Sequence, residues 1–80
     1  MNENIDDNVA TSESQVKAIL AYMRQGYKIT PMDALRKFSC FRLGARIKDI
    51  EEIVGYPPHR DRVQVENASG KQVWVARYWL

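Results

Sequence analysis

The chain has 80 residues, of which 45% are hydrophobic and 28% are charged, as is typical of one small soluble globular domain. A chain of this length buries only about 60% of its unfolded surface, too little to build the deep active site of a large enzyme. Because Cys40 is the single cysteine and His59 the single histidine, a disulfide framework and a zinc finger are excluded, and we expect neither a metal nor another cofactor.

The distribution of charge along the chain is uneven. Four of the ten acidic residues precede the first basic residue, Lys17, so the chain from Ser14 onward carries twelve basic and six acidic residues, a net charge of +6. This charge favours a polyanionic partner, although solubility alone also accounts for a mildly basic domain. Residues 1–11 hold too little apolar surface to fold, so we predict a flexible acidic tail at 1–11 and one domain at 12–80.

Membrane insertion and secretion are not expected. No apolar run approaches the roughly 18 residues that a membrane span needs. The N-terminus is acidic, whereas a signal peptide begins with basic residues. We therefore expect a cytoplasmic protein without a membrane partner.

Three amphipathic helices are predicted in the first 55 residues. Ser12 and Gln15 have the spacing of a capping box, and apolar residues then recur at helical spacing until Gly26. Thr30 suits the N-cap of a second, two-turn helix that ends near Ser39. A third helix is predicted at residues 41–54, before Gly55, with an apolar stripe formed by Leu43, Ile47, Ile50 and Val54.

The C-terminal part of the chain has the pattern of a β-hairpin. Val63 and Val65 alternate with polar residues, residues 67–70 supply turn chemistry, and Val73 and Val75 begin a second alternating run. Both faces of the last strand carry bulky side chains, so the sequence pattern does not predict which face packs on the core. The order of three helices and a hairpin predicts an α+β fold.

Two short helices joined by a turn, the second with an exposed basic face, form a helix-turn-helix that binds DNA through its second helix. On helical geometry Arg42, Ala45 and Arg46 lie away from the apolar stripe, on the same side as Asp49. Either arginine can donate two hydrogen bonds to guanine, and the methyl group of Ala45 can contact a thymine methyl group. The alternative is that both arginines are simply solvated.

Contacts with the DNA backbone are expected around this helix. Free N–H groups at the start of the second helix and peripheral cations favour phosphate oxygens. The expected phosphate-contacting residues are Lys28, Thr30, Lys37, Arg60, Arg62 and Lys71. For each of these side chains an ordinary solvated surface role is the alternative.

Three blocks of sequence, at residues 15–20, 29–35 and 41–47, resemble a family of small winged helix-turn-helix proteins found in bacteria, prophages and other mobile elements. The resemblance extends over about residues 15–50, and residues 76–80 are similar to the closing strand of that family. It implies a three-helix winged helix-turn-helix with a C-terminal β-hairpin wing that binds double-stranded DNA. Arg42 and Arg46 match the basic positions of its recognition helix.

The chain departs from the family pattern at two places. Ser39 stands where the family often has a turn glycine. Glu51 and Glu52 stand at the end of the third helix, where relatives usually continue with basic residues, and they would repel phosphates if they faced DNA. The resemblance therefore does not extend phosphate contact to this end of the helix.

Other chemistry has little support in the sequence. Cys40 has the surroundings of a packed turn residue rather than of a nucleophile, and His59 has no serine or carboxylate partner for general-base catalysis, so we expect no enzymatic activity. The aromatic residues Trp74, Tyr78 and Trp79 suit a core, although they could also stack on unpaired bases.

The sequence supports two hypotheses about function, and they belong to different functional classes. In the first, the protein is a transcriptional regulator or a mobile-element architectural factor. It binds duplex DNA and reads its base sequence, with the third helix in the major groove. The second is a winged helix protein-interaction module that binds a partner through Glu51, Glu52 and Trp79. A homodimer is compatible with either, because one recognition helix reads few bases, but no heptad or other dimer signal is present.

Overall fold

The computed structural model describes residues 11–80, which form three helices followed by an antiparallel hairpin. The helices are α1 (Ser12–Arg24), α2 (Pro31–Phe38) and α3 (Leu43–Val54), and the strands are β1 (His59–Glu66) and β2 (Gln72–Trp79). The predicted α+β class and element order are confirmed. Apart from Thr11, the predicted acidic tail lies outside the described residues.

The start of α1 differs from the prediction. Thr11 is the N-cap, and its side chain accepts a hydrogen bond of 3.2 Å from the N–H of Ser14. The predicted capping box between Ser12 and Gln15 is wrong, because Ser12 is already inside the helix. Gln15 lies one turn before Ile19 on the buried face, and its side-chain amide donates to the carbonyl oxygen of Ser39 at 3.1 Å. Gln15 therefore ties α1 to the turn that follows α2.

The capping signals of α2 are confirmed. Asp33 donates its backbone N–H to the Thr30 hydroxyl oxygen at 3.3 Å, and its carboxylate accepts the backbone N–H of Thr30 at 3.0 Å. Pro31 occupies the first turn, where its missing N–H leaves no helix bond unmade. The helix ends at Ser39, which adopts a left-handed conformation with φ 54° and ψ 33°.

Helix α3 starts two residues later than predicted, at Leu43. Arg42 is its N-cap, with φ −130° and ψ 62°, and makes no side-chain capping bond. The chain needs residues 39–42 to reverse direction between the two helices, so Phe41 and Arg42 belong to the turn. The predicted end is confirmed: Gly55 has a φ of 88°, a conformation that glycine adopts without the penalty of a Cβ atom.

The core lies between the three helices and the base of the hairpin. Cys40 is buried in it as a packing residue, with 1% of its surface exposed. Tyr78 and Leu80 pack against this cluster from the C-terminal strand and tail. The buried apolar residues are Val16, Ile19, Leu20, Met23, Ile29, Ala34, Cys40, Leu43, Ile47 and Ile50.

The hairpin is attached to the helices through Ile29. The backbone N–H of Ile29 donates to Tyr78 at 2.8 Å, and the N–H of Tyr78 donates back at 2.9 Å. Within the hairpin the register pairs His59 with Trp79 and continues without a bulge to the pair of Glu66 and Gln72. The sheet order is therefore the Ile29 bridge, β2 and then β1, with β1 at the outer edge.

Side chains alternate between the two faces of the hairpin. The face that we call the valine face carries His59, Asp61, Val63, Val65, Val73, Val75, Arg77 and Trp79. The opposite face, which we call the Trp74 face, carries Arg60, Arg62, Gln64, Glu66, Gln72, Trp74, Ala76 and Tyr78. At the base, the Trp74 face is inside through Tyr78. Towards the tip, three of the valines line a cleft of about 420 Å³ against α2.

Candidate nucleic-acid interface

The N-terminal end of α3 is exposed and positively charged. Arg42 projects from the turn into solvent, and Gly44 in the first helical turn is also exposed, so the backbone is open to close approach. Ala45 is half-buried. Lys48, which is not among the predicted site residues, is exposed one turn further on, and its spacing of three residues from Ala45 puts it on the same side. Residues 42–48 contain three cations and no carboxylate.

Arg46 occupies a less open position than the helical pattern suggests. Its side chain is only 15% exposed, and its Nε atom lies 3.7 Å from the Oδ2 atom of Asp49. This Nε atom is buried and has no hydrogen-bond partner among the described residues. The reason is its position next to Ile47 on the flank of the helix, between the buried stripe and the solvent face. At 3.7 Å the contact is too long for a hydrogen bond, so Asp49 does not fix the orientation of the guanidinium group.

The C-terminal half of α3 has the opposite charge. Glu51 and Glu52 are both exposed. Ile53 beside them is 57% exposed and lines a groove with Met23 and Leu80. The charge of α3 thus changes sign along the helix axis, with cations at the start and carboxylates at the end. A polyanion would therefore approach it from the N-terminal end.

Phe41 is the most exposed large apolar residue of the described chain, at 85%. It lies in the turn immediately before Arg42, at the same end of α3. Phe41 is predicted to lie in the third helix and is not among the predicted site residues, but the helix begins at Leu43. Its exposure follows from the late start of α3, since a residue in the turn is not held on the buried helical face.

The start of α2 offers fewer free donors than expected. The N–H groups of Thr30 and Asp33 already donate within the capping box, and the Asp33 carboxylate brings a negative charge to this helix end. Thr30 therefore serves the helix cap. Lys37, on the last turn of α2, remains exposed, with its ammonium group 5.7 Å from the ring centre of Tyr22.

The cations of the hairpin lie on different surfaces. Arg60 and Arg62 are exposed on the Trp74 face, and the Arg62 guanidinium lies 5.7 Å from the ring centre of Trp74. Lys71 is exposed next to the turn. Lys28 precedes the Ile29 bridge, and its ammonium group lies 4.3 Å over the ring of Trp79. The predicted phosphate-contacting cations thus surround the helices and the hairpin rather than forming one cluster.

The three C-terminal aromatic residues have three different environments. Tyr78 packs on the core, as expected. Trp79 is half-buried on the valine face, stacked at 5.5 Å on His59 and covered by Lys28. Trp74 is 58% exposed, so the expectation that it belongs to the core is wrong. Its cross-strand neighbour is Gln64, which is exposed as well.

An ion pair joins the two strands at the base of the hairpin. Arg77 donates from Nε to Asp61 at 3.0 Å and from its second guanidinium nitrogen at 2.7 Å. These hydrogen bonds lower the pKa of Asp61 below its ordinary value of 3.8, and they raise the pKa of Arg77. The two residues are direct cross-strand partners, so the pair reinforces the register of the hairpin.

The described part of the chain shows no arrangement typical of a metal site or a membrane span. Residues 11–80 contain no group of three histidine, cysteine or carboxylate side chains placed to hold a metal ion. None of the helices between these residues is long and apolar enough to cross a membrane.

Comparison with known proteins supports the same architecture. The winged helix-turn-helix domain family matches residues 14–80, which covers α2, α3, the hairpin and all of α1 after its first two residues. No curated protein and no solved structure matches the chain with significance. In the terms of this fold, α2 and α3 are the helix-turn-helix, and β1 and β2 are the wing. The chain belongs to the winged helix-turn-helix domain family.

Proposed function

We propose that this domain binds double-stranded DNA, with the N-terminal end of α3 in the major groove. The observation that carries the proposal is the charge polarity of α3, with three cations in residues 42–48 and both exposed glutamates beyond them. Recognition helices of this motif contact base edges through their N-terminal residues. The glutamates at the far end of α3 then lie away from the phosphates, so they do not repel the DNA.

Three residues are assigned to base contacts. Arg42, free in solvent at the N-cap, is placed to donate two hydrogen bonds to a guanine edge. Ala45 allows close approach and offers a methyl group to thymine. Arg46 joins them by turning away from Asp49, which breaks no hydrogen bond, and its buried Nε atom, which has no partner within the described chain, gains an acceptor on the DNA.

The remaining cations are assigned to the DNA backbone. These phosphate-contacting residues are Lys28, Lys37, Arg60, Arg62 and Lys71. The turn at residues 67–70 brings Lys71 towards the backbone or the minor groove, where a wing contacts DNA. Contacts of this kind give a salt-dependent affinity that does not depend on sequence. Such a protein would act as a transcriptional regulator or as an architectural factor of a mobile element, in the cytoplasm.

The test compares two single variants on a selected target duplex and on unrelated duplexes. Arg42→Ala should reduce the preference for the target by about 1–3 kcal/mol, because it removes a base contact. Lys71→Ala should weaken binding to all duplexes alike and reduce the slope of affinity against salt by about one. Equal losses on every duplex for Arg42→Ala would contradict its role in base readout.

A second candidate function is supported by the apolar groove at the end of α3. Ile53 is exposed between Glu51, Glu52 and Tyr56, and the groove that it lines has a volume of about 560 Å³. A folded protein without any salt-dependent DNA binding would favour a protein-interaction module that uses this surface. Trp79, previously expected on that surface, is covered by Lys28 instead.

A further inference from the structure

The outer edge of β1 has unpaired main-chain groups. Both the N–H and the C=O of Tyr78 bond to Ile29, so its cross-strand partner Arg60 makes no ladder bonds to β2. Hydrogen-bonded and non-hydrogen-bonded pairs alternate in an antiparallel ladder. The main-chain groups of Arg62, Gln64 and Glu66 therefore also point away from β2. In the described structure no strand pairs with this edge.

This edge lacks the features that usually prevent strand addition. Exposed edges are commonly protected by proline, by a bulge or by short length. Strand β1 runs for eight residues without proline, glycine or a break in its register. It does carry charges, but they are of both signs: Arg60 and Arg62 at one end and Glu66 at the other. When a second copy of β1 lies antiparallel to the first, the positive end of each strand faces the negative end of the other.

We propose that two copies of the chain pair through this edge, with β1 antiparallel to β1 of the second copy and the two-fold axis beside Val63. In this register Arg60 lies opposite Glu66 of the second copy, and Arg62 lies opposite Gln64. Each of these residues has its main-chain groups turned outward, so all four pairs form ladder hydrogen bonds. The two hairpins become one four-stranded sheet, and the interface is the same patch on both copies.

Charge and packing select this register over its neighbours. An axis at Arg62 would place two arginines directly opposite each other, which is unfavourable. An axis at Gln64 would keep only three outward-facing pairs and leave Arg60 without a partner. The axis beside Val63 also brings the half-buried Val63 against its own copy in a closely spaced pair, which removes further apolar surface from water.

The pairing needs no DNA, so its test is independent of the proposed function; the two proposals overlap only at Arg60, which the proposed function assigns to a phosphate. If both hold, each particle carries two α3 helices and reads two half-sites related by the two-fold axis. Arg60 would then serve the protein interface instead of a phosphate. This assignment separates Arg60 from Arg62, whose side chain already lies over Trp74.

The test is the mass in solution, measured by sedimentation equilibrium without DNA. The monomer mass is 9.3 kDa, and the dimer has twice that mass. Arg60→Glu and Glu66→Arg should each weaken dimerisation about tenfold or more, because two like-charge pairs replace two attractive pairs. The double variant Arg60→Glu/Glu66→Arg should restore dimerisation. Arg24→Glu, an equal change of charge on exposed α1 surface, is the matched control and should have no such effect.

A further variant tests the main-chain pairing itself. Gln64→Pro removes an N–H that points outward, so the ladder between β1 and β2 is kept while the added strand loses a bond. It should abolish the dimer, with folding checked by circular dichroism. A chain that stays at 9.3 kDa at every concentration would overturn the proposal. Rescue of Glu66→Arg by Arg62→Glu, rather than by Arg60→Glu, would overturn the register.

Discussion

Ser39 stands at the one described non-glycine position with a positive φ, and replacing it with glycine should stabilise the domain. Its backbone has φ 54° and ψ 33°, the left-handed conformation that ends α2. For a residue with a Cβ atom this conformation costs about 1–2 kcal/mol. Glycine removes that cost but gives back about 0.4–1 kcal/mol, because it makes the unfolded chain more flexible.

The centres of the two ranges leave a net gain of about 0.8 kcal/mol for Ser39→Gly. For a domain of this size the gain corresponds to a rise in Tm of about 3–6 °C. The hydrogen bond from Gln15 is kept, since it ends on the carbonyl oxygen of residue 39. The assay is thermal unfolding followed by circular dichroism, supported by urea unfolding at about 25 °C.

The matched control is Ser39→Ala, which keeps the Cβ atom and therefore the strained backbone. Ser39 is exposed, so loss of its hydroxyl group should change stability little. Of these two variants, only Ser39→Gly should raise Tm. This prediction would be refuted if the glycine variant were no more stable than the alanine variant, because the left-handed conformation would then not be the source of strain.

Two other predictions concern buried and paired polar groups. Gln15→Ala should lower the free energy of unfolding by about 1–2 kcal/mol, because the Ser39 carbonyl loses its donor, whereas Gln25→Ala on the exposed face should have a smaller effect in the same urea titration. Asp61 has a folded-state pKa below 3.8, so the unfolded state takes up its proton first, and the stability that the pair with Arg77 contributes is present above about pH 4. That contribution should be lost as pH falls through the folded pKa, and Asp61→Asn should flatten this acid limb. An unchanged limb would show that the pair does not contribute.

Local patterns predicted the elements of this fold because their signals are short-range. Thr30, Pro31 and Asp33 specify the start of α2 within four residues, and Gly55 specifies the end of α3. The alternating valines and the turn at residues 67–70 similarly locate the hairpin. In each case the hydrogen bonds that define the boundary join residues that are close in sequence.

The predictions are wrong where packing between residues far apart in the sequence determines the conformation. Thr11 and Ser12 are both good N-cap residues, and Gln15 matches a capping box in spacing, but its amide bonds Ser39 in another element. Similarly, a helical projection places Arg46 on the outer face, whereas its neighbours in space cover most of the side chain.

The face of β2 that packs on the core could not be predicted from the local sequence either. Both of its faces carry bulky residues, and the choice depends on the bridge between Ile29 and Tyr78, which are far apart in the sequence. That bridge turns Tyr78 towards the core and places Trp79 on the other face, under Lys28. Trp74, nearer the tip, lies on the face opposite the valines that line the cleft against α2, and it stays exposed.

The proposed DNA binding is tested most directly by fluorescence anisotropy of a mixed-sequence duplex, titrated with the wild type and with Arg42→Ala/Arg46→Ala at about 50 and 200 mM salt. The wild type should bind at low salt and lose affinity steeply at the higher salt concentration. The double variant, shown to be folded by its circular dichroism, should lose most of this binding, because both arginines lie at the N-terminal end of α3. Equal binding by the variant and the wild type, or no binding by the wild type at low salt, would contradict the proposed interface.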